Sequence, residues 1–172
     1  MARDWDEHYL DAANLDFAPE PLLVMAADLL PAGKALDLAC GPGRNALYLA
    51  GLGWRVTAVD RSPAAVRMLR ERSTLAATIE IHQADLERGE FPIAVDSFDL
   101  VCDILYLQRN LFEAIRRAVR PGGVFAGAIL LAQPGRDSAF RLAPGELRQE
   151  FASWKILYYS EAGAARILAR KA

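Results

Sequence analysis

The sequence predicts an α/β fold built on an open, mostly parallel sheet, and two observations support this prediction. The first is an apolar run at 35–40, a glycine-rich turn at 41–43, a helical pattern at 46–50 and a second β-type run at 54–59 that stops on Asp60. Strand, glycine turn, helix, strand and acid form the opening unit of a nucleotide-binding, Rossmann-like sheet. The second is that strand-like and helix-like patterns keep alternating along the rest of the chain.

The remaining elements follow from the spacing of apolar residues and turn formers. Ser62 and Pro63 provide an N-cap and a first turn for the helix that follows the second strand. The Pro-Gly-Gly segment at 121–123 predicts a sharp turn between a helix and a strand, and 161–163 a tight turn between the last two strands. Beyond the first two strands, the sequence predicts strands at 78–82, 98–103, 124–131, 154–159 and 165–169, helices at 21–30, 63–73, 107–118 and from 144, and a polar loop at 133–143.

Length and composition predict one globular domain over residues 1–172. The chain is 53% hydrophobic and 24% charged with a formal net charge of -2, so no nucleic-acid partner is expected. The longest apolar run is about half of the roughly 20 residues that a membrane helix needs. The acidic start argues against a signal peptide, so we expect a cytoplasmic protein that acts without a membrane. Cys40 and Cys102 belong to no CxxC pair, so neither a disulfide nor a metal site is expected.

The glycine turn leaves the choice of cofactor open on spacing alone. Gly41-x-Gly43-x-x-Ala46 fits a dinucleotide fingerprint, and Asp60 lies where such proteins hold a ribose diol. Asp37 points the other way, because a carboxylate just before the turn would repel a pyrophosphate and would attract an ammonium group.

Acidic residues lie at or near the ends of four predicted strands: Asp37, Asp60, Asp85 and Asp103. The carboxyl ends of parallel strands meet at one edge of an open sheet, which is where such sheets bind ligands. The predicted edge is therefore acidic, and it favours a cationic, hydroxyl-rich cofactor over a phosphorylated one.

The segments LDLACGPGRN and GWRVTAVD resemble motif I and the segment that follows it in class I S-adenosylmethionine-dependent methyltransferases. Further segments, WDxxY, YLQRNLFEAIRRAVRPGG and FRLAPGELRQEF, resemble the small tellurite-resistance-type branch, which is related to thiopurine methyltransferase. The resemblance implies a three-layer Rossmann-like fold whose seven-stranded sheet is mostly parallel with an antiparallel last strand. It also implies S-adenosylmethionine as cofactor and a monomer or homodimer. A binding module without turnover and an NAD-dependent oxidoreductase remain alternatives.

The resemblance also implies which residues meet the cofactor. Asp60 is expected to hold the ribose, and Asp85 with Leu86 the adenine, while residues 1–17 form an N-terminal flap over the site. The full set of expected cofactor-binding residues is Trp5, Tyr9, Asp37, Ala39, Cys40, Gly41, Gly43, Asn45, Asp60, Arg61, Ser62, Ala84, Asp85, Leu86 and Asp103.

The expected acceptor is a small molecule or an inorganic anion, such as a thiol, selenite or tellurite. A soft nucleophile of this kind needs no strong base, since positioning and desolvation supply most of the acceleration. Where the branch often reads His-Arg, this chain has Gln108 and Arg109, so a histidine that would assist the nucleophile is missing. Charge-assisted hydrogen bonds from arginine would bind an anionic acceptor. The expected catalytic residues are Asp103, Tyr106, Arg109 and Arg141, with Phe140 at the same mouth.

Overall fold

The computed structural model describes residues 5–10, 15–73, 78–133 and 139–172. The predicted N-terminal flap and the predicted polar loop at 133–143 therefore lie partly outside the described residues. Within them, the strands are β1 Lys34–Leu38, β2 Arg55–Asp60, β3 Ile79–Gln83, β4 Phe98–Ile104, β5 Val119–Leu130, β6 Lys155–Ala162 and β7 Ala164–Arg170. The helices are α1 Trp5–Leu10, α2 Pro21–Asp28, α3 Arg44–Gly51, α4 Pro63–Arg72, α5 Leu111–Ala118 and α6 Glu146–Glu150, with a short 3-10 helix at Leu86–Arg88.

The strands form one seven-stranded sheet in the order β3-β2-β1-β4-β5-β7-β6. The pairs from β3 to β5 are parallel, and β7 runs antiparallel to both β5 and β6. The predicted fold class and the predicted antiparallel last strand are confirmed. Because β1 is the middle one of the five parallel strands, the turn that follows it opens at the centre of their carboxyl edge.

Helices cover both faces of the sheet, which gives three layers. One core cluster joins α5 and α6 to the sheet through Phe112, Ile115 and Leu147. The other joins α2, α3 and α4 to the opposite face, with Leu49 and Leu69 fully buried among them. Alternate residues of each strand face opposite sides of a sheet, so a strand buried on both faces is apolar throughout.

No described helix is long and apolar enough to cross a membrane.

Two local predictions were wrong in detail. The helix predicted from 107 begins at Leu111, and residues 106–110 form an irregular connection and a turn after β4. The predicted Pro-Gly-Gly turn is a bulge within β5: Phe98 pairs with Val119, and the next registered pair is Leu100 with Val124. Proline has no N–H for the ladder, and Gly122 has a φ of 78°, so this segment loops out between the two pairs.

Candidate functional site

A cavity of about 550 Å³ opens at the carboxyl edge of the sheet. Its lining comes from the segments that follow β1, β2, β3 and β4, from the end of β5 and from α1. This is the edge where the acidic strand ends were expected to meet. The cavity volume is within the range of small-molecule sites.

The two glycines of the turn after β1 are required for different reasons. Gly41 and Gly43 both have positive φ, 54° and 85°. A Cβ at Gly41 would lie 2.8 Å from the hydroxyl oxygen of Tyr9, whereas a Cβ at Gly43 would lie 2.1 Å from Cδ1 of the buried Leu69. Gly41 therefore allows α1 to approach the turn, and Gly43 allows α4 to pack beneath it.

Asp60 is fixed by backbone hydrogen bonds at the end of β2. Its Oδ2 accepts from the N–H of Gly41 at 2.8 Å, and its Oδ1 accepts from the N–H of Ser62 at 2.9 Å. Burial raises the pKa of this carboxyl, while the two backbone bonds act in the opposite direction. Each oxygen keeps a further lone pair, so the carboxylate can accept hydrogen bonds from a diol in the cavity.

Asp37 and Asp103 form a buried acidic pair on neighbouring strands. Asp37 is registered with Cys102 and Leu38 with Asp103, and both carboxyl groups are almost fully buried. Oδ2 of Asp37 and both oxygens of Asp103 have no hydrogen-bond partner among the described residues. Burial, with Asp60 nearby, raises the pKa of Asp37 to about 7, and burial next to Asp37 raises that of Asp103 well above its usual range. Such unpartnered buried oxygens are rare, and a cationic ligand in the cavity would satisfy the one on Asp37, which lines it.

The segment after β3 contributes a second, partly exposed acidic group. Oδ1 of Asp85 accepts from the N–H of Glu87 at 2.9 Å, which caps the 3-10 helix. Arg61 lies between two carboxylates, with Nη1 3.9 Å from Asp85 Oδ2 and 3.5 Å from Glu87 Oε2. The side chain of Arg61 is thus held at the cavity by its acidic neighbours.

The helix α1 covers one side of the cavity with aromatic rings. Trp5 and Tyr9 are stacked with ring centroids 6.0 Å apart, and both line the cavity. Asp6 attaches this helix to the start of α4: its Oδ1 accepts from the hydroxyl of Ser62 and from the N–H of Ala64. The Ser62 hydroxyl oxygen in turn accepts from the N–H of Ala65 at 3.1 Å, as its predicted N-cap role requires.

The side of the cavity over β4 and β5 is apolar and partly open. Leu105 is 50% exposed at a positive φ, and Phe140 is 57% exposed. The Tyr106 hydroxyl donates to Gln108 Oε1 at 2.6 Å, and Gln108 Nε2 donates to the carbonyl of Leu86 at 3.2 Å. Burial, and then the carboxylates Glu87, Asp103 and Asp85, raise the pKa of Tyr106 well above its usual range. The tyrosine is therefore a neutral phenol.

The structure does not bring the two arginines expected to bind an anionic acceptor into the cavity lining. Arg109 forms a bidentate ion pair with Glu146, in which Nε donates to Oε1 at 2.6 Å and Nη2 donates to Oε2 at 3.1 Å. Its Nη2 also donates to the carbonyl of Arg141 at 3.0 Å, and the pair lowers the pKa of Glu146. Arg141 Nη1 donates to the carbonyl of Leu131 at 2.9 Å. The expected anion contact does not fit this arrangement, because both guanidinium groups already hold the chain around Phe140.

A family profile described as a methyltransferase domain matches residues 35–123, which is more than half of the chain. The chain belongs to the methyltransferase domain family. The matched segment of this methyltransferase domain runs from β1 into the bulge of β5 and includes the glycine turn, Asp60, Asp85 and Asp103.

Curated relatives resemble most of this methyltransferase domain. It is 36% identical over 146 residues to Hemagglutinin 1 of Eikenella corrodens, covering 75% of this chain and 46% of that protein. It is 27% identical over 154 residues to the probable S-adenosyl-L-methionine-dependent methyltransferase TehB of Haemophilus influenzae, covering 81% of this chain and 52% of TehB. The chain thus spans about half the length of these relatives. The crystal structure of Haemophilus influenzae TehB superposes with a TM-score of 0.82 at 22% identity, covering 98% of this chain and 67% of that one.

Most of the residues expected from the sequence line the cavity of this methyltransferase domain. Asn45 lines it while its Oδ1 accepts from the N–H of Glu20 at 3.0 Å. Residues of the lining that sequence reasoning missed include Arg44, Glu87 and Leu105, and no sequence signal marks the positive φ of Leu105. The expected residues that line the cavity are Trp5, Tyr9, Asp37, Ala39, Cys40, Gly41, Asn45, Asp60, Arg61, Ala84, Asp85, Leu86, Tyr106 and Phe140, whereas Gly43, Ser62, Asp103, Arg109 and Arg141 lie outside its lining.

Proposed function

We propose that this methyltransferase domain binds S-adenosylmethionine and transfers its methyl group to a small-molecule acceptor. The observation that carries the proposal is the buried carboxylate of Asp37 beside the glycine turn, which has an oxygen without a partner among the described residues. When bound, S-adenosylmethionine supplies a sulfonium methyl group, which passes to the acceptor as the carbon–sulfur electron pair returns to sulfur and the acceptor releases a proton.

The chemistry of the lining supports this cofactor over a nicotinamide dinucleotide. A pyrophosphate would bring negative charge next to Asp37 and Asp60, whereas an ammonium group would satisfy the open oxygen of Asp37. Asp60 has the lone pairs that ribose hydroxyls require. Asp85 and Leu86 would hold the adenine at the end of β3. A cofactor that donates a methyl group also suits the methyltransferase domain family to which the chain belongs.

The N-terminal segment would act as a flap over the cofactor. In the described part of that segment, Trp5 and Tyr9 of α1 line the cavity, and Asp6 fastens the helix to α4. Aromatic rings at this position would exclude water from the transfer. Closure of such a segment commits a bound cofactor and acceptor to reaction.

The acceptor would be a soft nucleophile of the thiol, selenite or tellurite kind. Over β4 and β5 the described lining offers Tyr106 as a neutral phenol and otherwise apolar groups, so no described side chain there serves as a base near neutral pH. A nucleophile that ionises readily by itself suits such a site. No nucleic acid, membrane or partner protein is needed for this reaction, and a monomer or homodimer suffices.

Calorimetry and a turnover assay test the proposal. The chain should bind S-adenosylmethionine and S-adenosylhomocysteine and should not bind NAD. It should also form S-adenosylhomocysteine with at least one member of a panel of small thiols, selenite and tellurite. Binding of NAD without a response to S-adenosylmethionine would replace the proposal with an oxidoreductase. Tight binding without turnover on any acceptor would make the chain a binding module.

A further inference from the structure

The cavity is divided into two halves by the order of the strands beneath it. Over β3, β2 and β1 lie Asp85, Asp60 and Asp37, and we call this side the acidic half. Over β4 and β5 lie Leu105, Tyr106, Leu130 and Phe140, and we call this side the apolar half. If the acidic half binds the cofactor, the acceptor must be recognised by the apolar half.

The described arginines near the cavity are already paired with carboxylates or bound to carbonyl groups. Arg44 lies 3.5 Å from Asp16, and Arg61 lies between Asp85 and Glu87. Of the arginines beyond the lining, Arg109 is bound to Glu146 and Arg141 to a carbonyl oxygen. An anionic acceptor would have to compete with these carboxylate and carbonyl groups for a charged partner.

Tyr106 reports the electrostatic potential inside the apolar half. Burial raises the pKa of this residue most, and Glu87, Asp103 and Asp85 raise it further against the opposing effect of Arg61. The partly exposed carboxylates of Asp85 and Glu87 would also disfavour an oxyanion placed beside it. Its hydroxyl hydrogen is donated to Gln108, so it is not available to such an anion either.

The exposed apolar side chains of this half favour an apolar ligand. Leu105 and Phe140 leave half or more of their surface to solvent at the mouth of the cavity. Leu105 adopts a positive φ, a conformation that costs a bulky residue energy and that tends to occur at functional sites. Covering these surfaces with an apolar group removes them from water, which is favourable.

We propose that the methyl acceptor is an uncharged molecule with an apolar body that packs against Leu105, Leu130 and Phe140, and that oxyanions such as tellurite and selenite are disfavoured. This inference rests on the proposed function and narrows its acceptor class. A thiol fits it well, because a thiol binds in its neutral form and its proton can pass to solvent through the open mouth beside Leu105 and Phe140 as the methyl group is transferred.

Two thiols of similar size and different charge test the inference on the full chain. 1-Butanethiol presents an alkyl tail, and 3-mercaptopropionate presents a carboxylate at a similar distance from sulfur. With saturating S-adenosylmethionine, kcat/KM should be at least tenfold higher for 1-butanethiol than for 3-mercaptopropionate, tellurite or selenite. Calorimetric titration of the S-adenosylhomocysteine complex with the two thiols should give the same order of affinity.

A matched pair of variants at Phe140 separates charge from shape. Phe140→Arg should shift the kcat/KM ratio toward 3-mercaptopropionate at least fivefold, because it adds a cation to the apolar half. Phe140→Met should keep the wild-type order of the two thiols, whatever it does to the absolute rates. The position is exposed, so both variants are expected to fold.

The outcomes distinguish this inference from the proposed function. If S-adenosylmethionine binds and the anionic acceptors are used as well as 1-butanethiol, the inference is overturned and the proposed function stands. If S-adenosylmethionine does not bind at all, the proposed function itself fails. Without turnover, the calorimetric order decides, and a failure of 1-butanethiol to bind more tightly than 3-mercaptopropionate overturns the inference.

Discussion

The acidic and apolar halves of the cavity differ in how their side chains are held. In the acidic half, Asp60 and Asp85 are fixed by backbone N–H groups within two residues or across the glycine turn. In the apolar half, Leu105 and Phe140 lie on irregular segments. The segment around Phe140 is held by Arg109, which lies just before α5 and pairs with Glu146 at the start of α6. The acidic half is thus built from local motifs, and the apolar half from contacts between residues distant in sequence. Because the second kind of contact can change while the first is kept, one fold can serve many acceptors.

The largest expected effect is on the acidic half, in the variant Asp37→Asn. Loss of the charge should weaken S-adenosylmethionine binding by roughly tenfold to a hundredfold, since a hydrogen bond to a charged group contributes about 1.5–3 kcal/mol. Its pKa is raised from 3.8 to about 7 by folding, so the carboxyl lowers the free energy of unfolding as pH rises from about 4 to 7. At pH 8 the variant should therefore be more stable than the wild type. Calorimetry and urea unfolding at pH 5 and 8 measure both effects.

Asp99→Asn is the matched control for Asp37→Asn. Asp99 is also a buried acid next to β1, but it is paired with Arg120 and accepts from the N–H of Lys34 at 2.8 Å. Its replacement should lower stability and leave cofactor affinity unchanged. A stabilised Asp37→Asn variant that keeps wild-type cofactor affinity would contradict the assigned role of Asp37.

A pair of glycine variants sharpens the comparison within the acidic half. Gly41→Ala would place its Cβ 2.8 Å from the Tyr9 hydroxyl, so α1 must shift and cofactor affinity should fall about tenfold, which corresponds to about 1.4 kcal/mol. Gly43→Ala would meet the buried Leu69 instead and should cost about 1–3 kcal/mol of stability through overpacking. Calorimetry and urea unfolding of both variants measure the two effects. Wild-type cofactor affinity in Gly41→Ala would place the cofactor away from this turn.

A smaller effect is expected in the apolar half for Arg109→Ala. Arg109 holds the segment around Phe140 through Glu146 and the carbonyl of Arg141. Its loss should raise KM for 1-butanethiol several-fold and leave the dissociation constant of S-adenosylhomocysteine unchanged. Arg116→Ala is the control, because Arg116 makes a comparable pair with Glu150 away from the cavity lining. An equal KM change in both variants would mean that the effect is one of stability.

The difference between the halves also explains what could be predicted from the sequence. The order of elements and the acidic half are encoded locally: the glycine turn, Asp60 and the cap at Ser62 all lie within one strand–helix–strand unit. The apolar half depends on contacts that no spacing reveals. The pairing of Arg109 with Glu146 joins residues 37 positions apart. Because of this pairing, Arg109 holds the segment around Phe140, whereas the sequence suggested that it binds an anion. Likewise, a leucine at positive φ carries no signature in the sequence.

The most direct test of this account compares Asp60→Ala with Phe140→Ala in one set of measurements. Asp60→Ala should weaken the binding of S-adenosylhomocysteine by about 1–3 kcal/mol, because it loses the acceptors for ribose hydroxyls, and should change the KM for 1-butanethiol little. Phe140→Ala should raise that KM several-fold and leave the S-adenosylhomocysteine constant unchanged. Calorimetry and initial rates on both variants give the four values. If both variants change the same constant, or if each changes the constant assigned to the other, the division of the cavity into a cofactor half and an acceptor half is wrong.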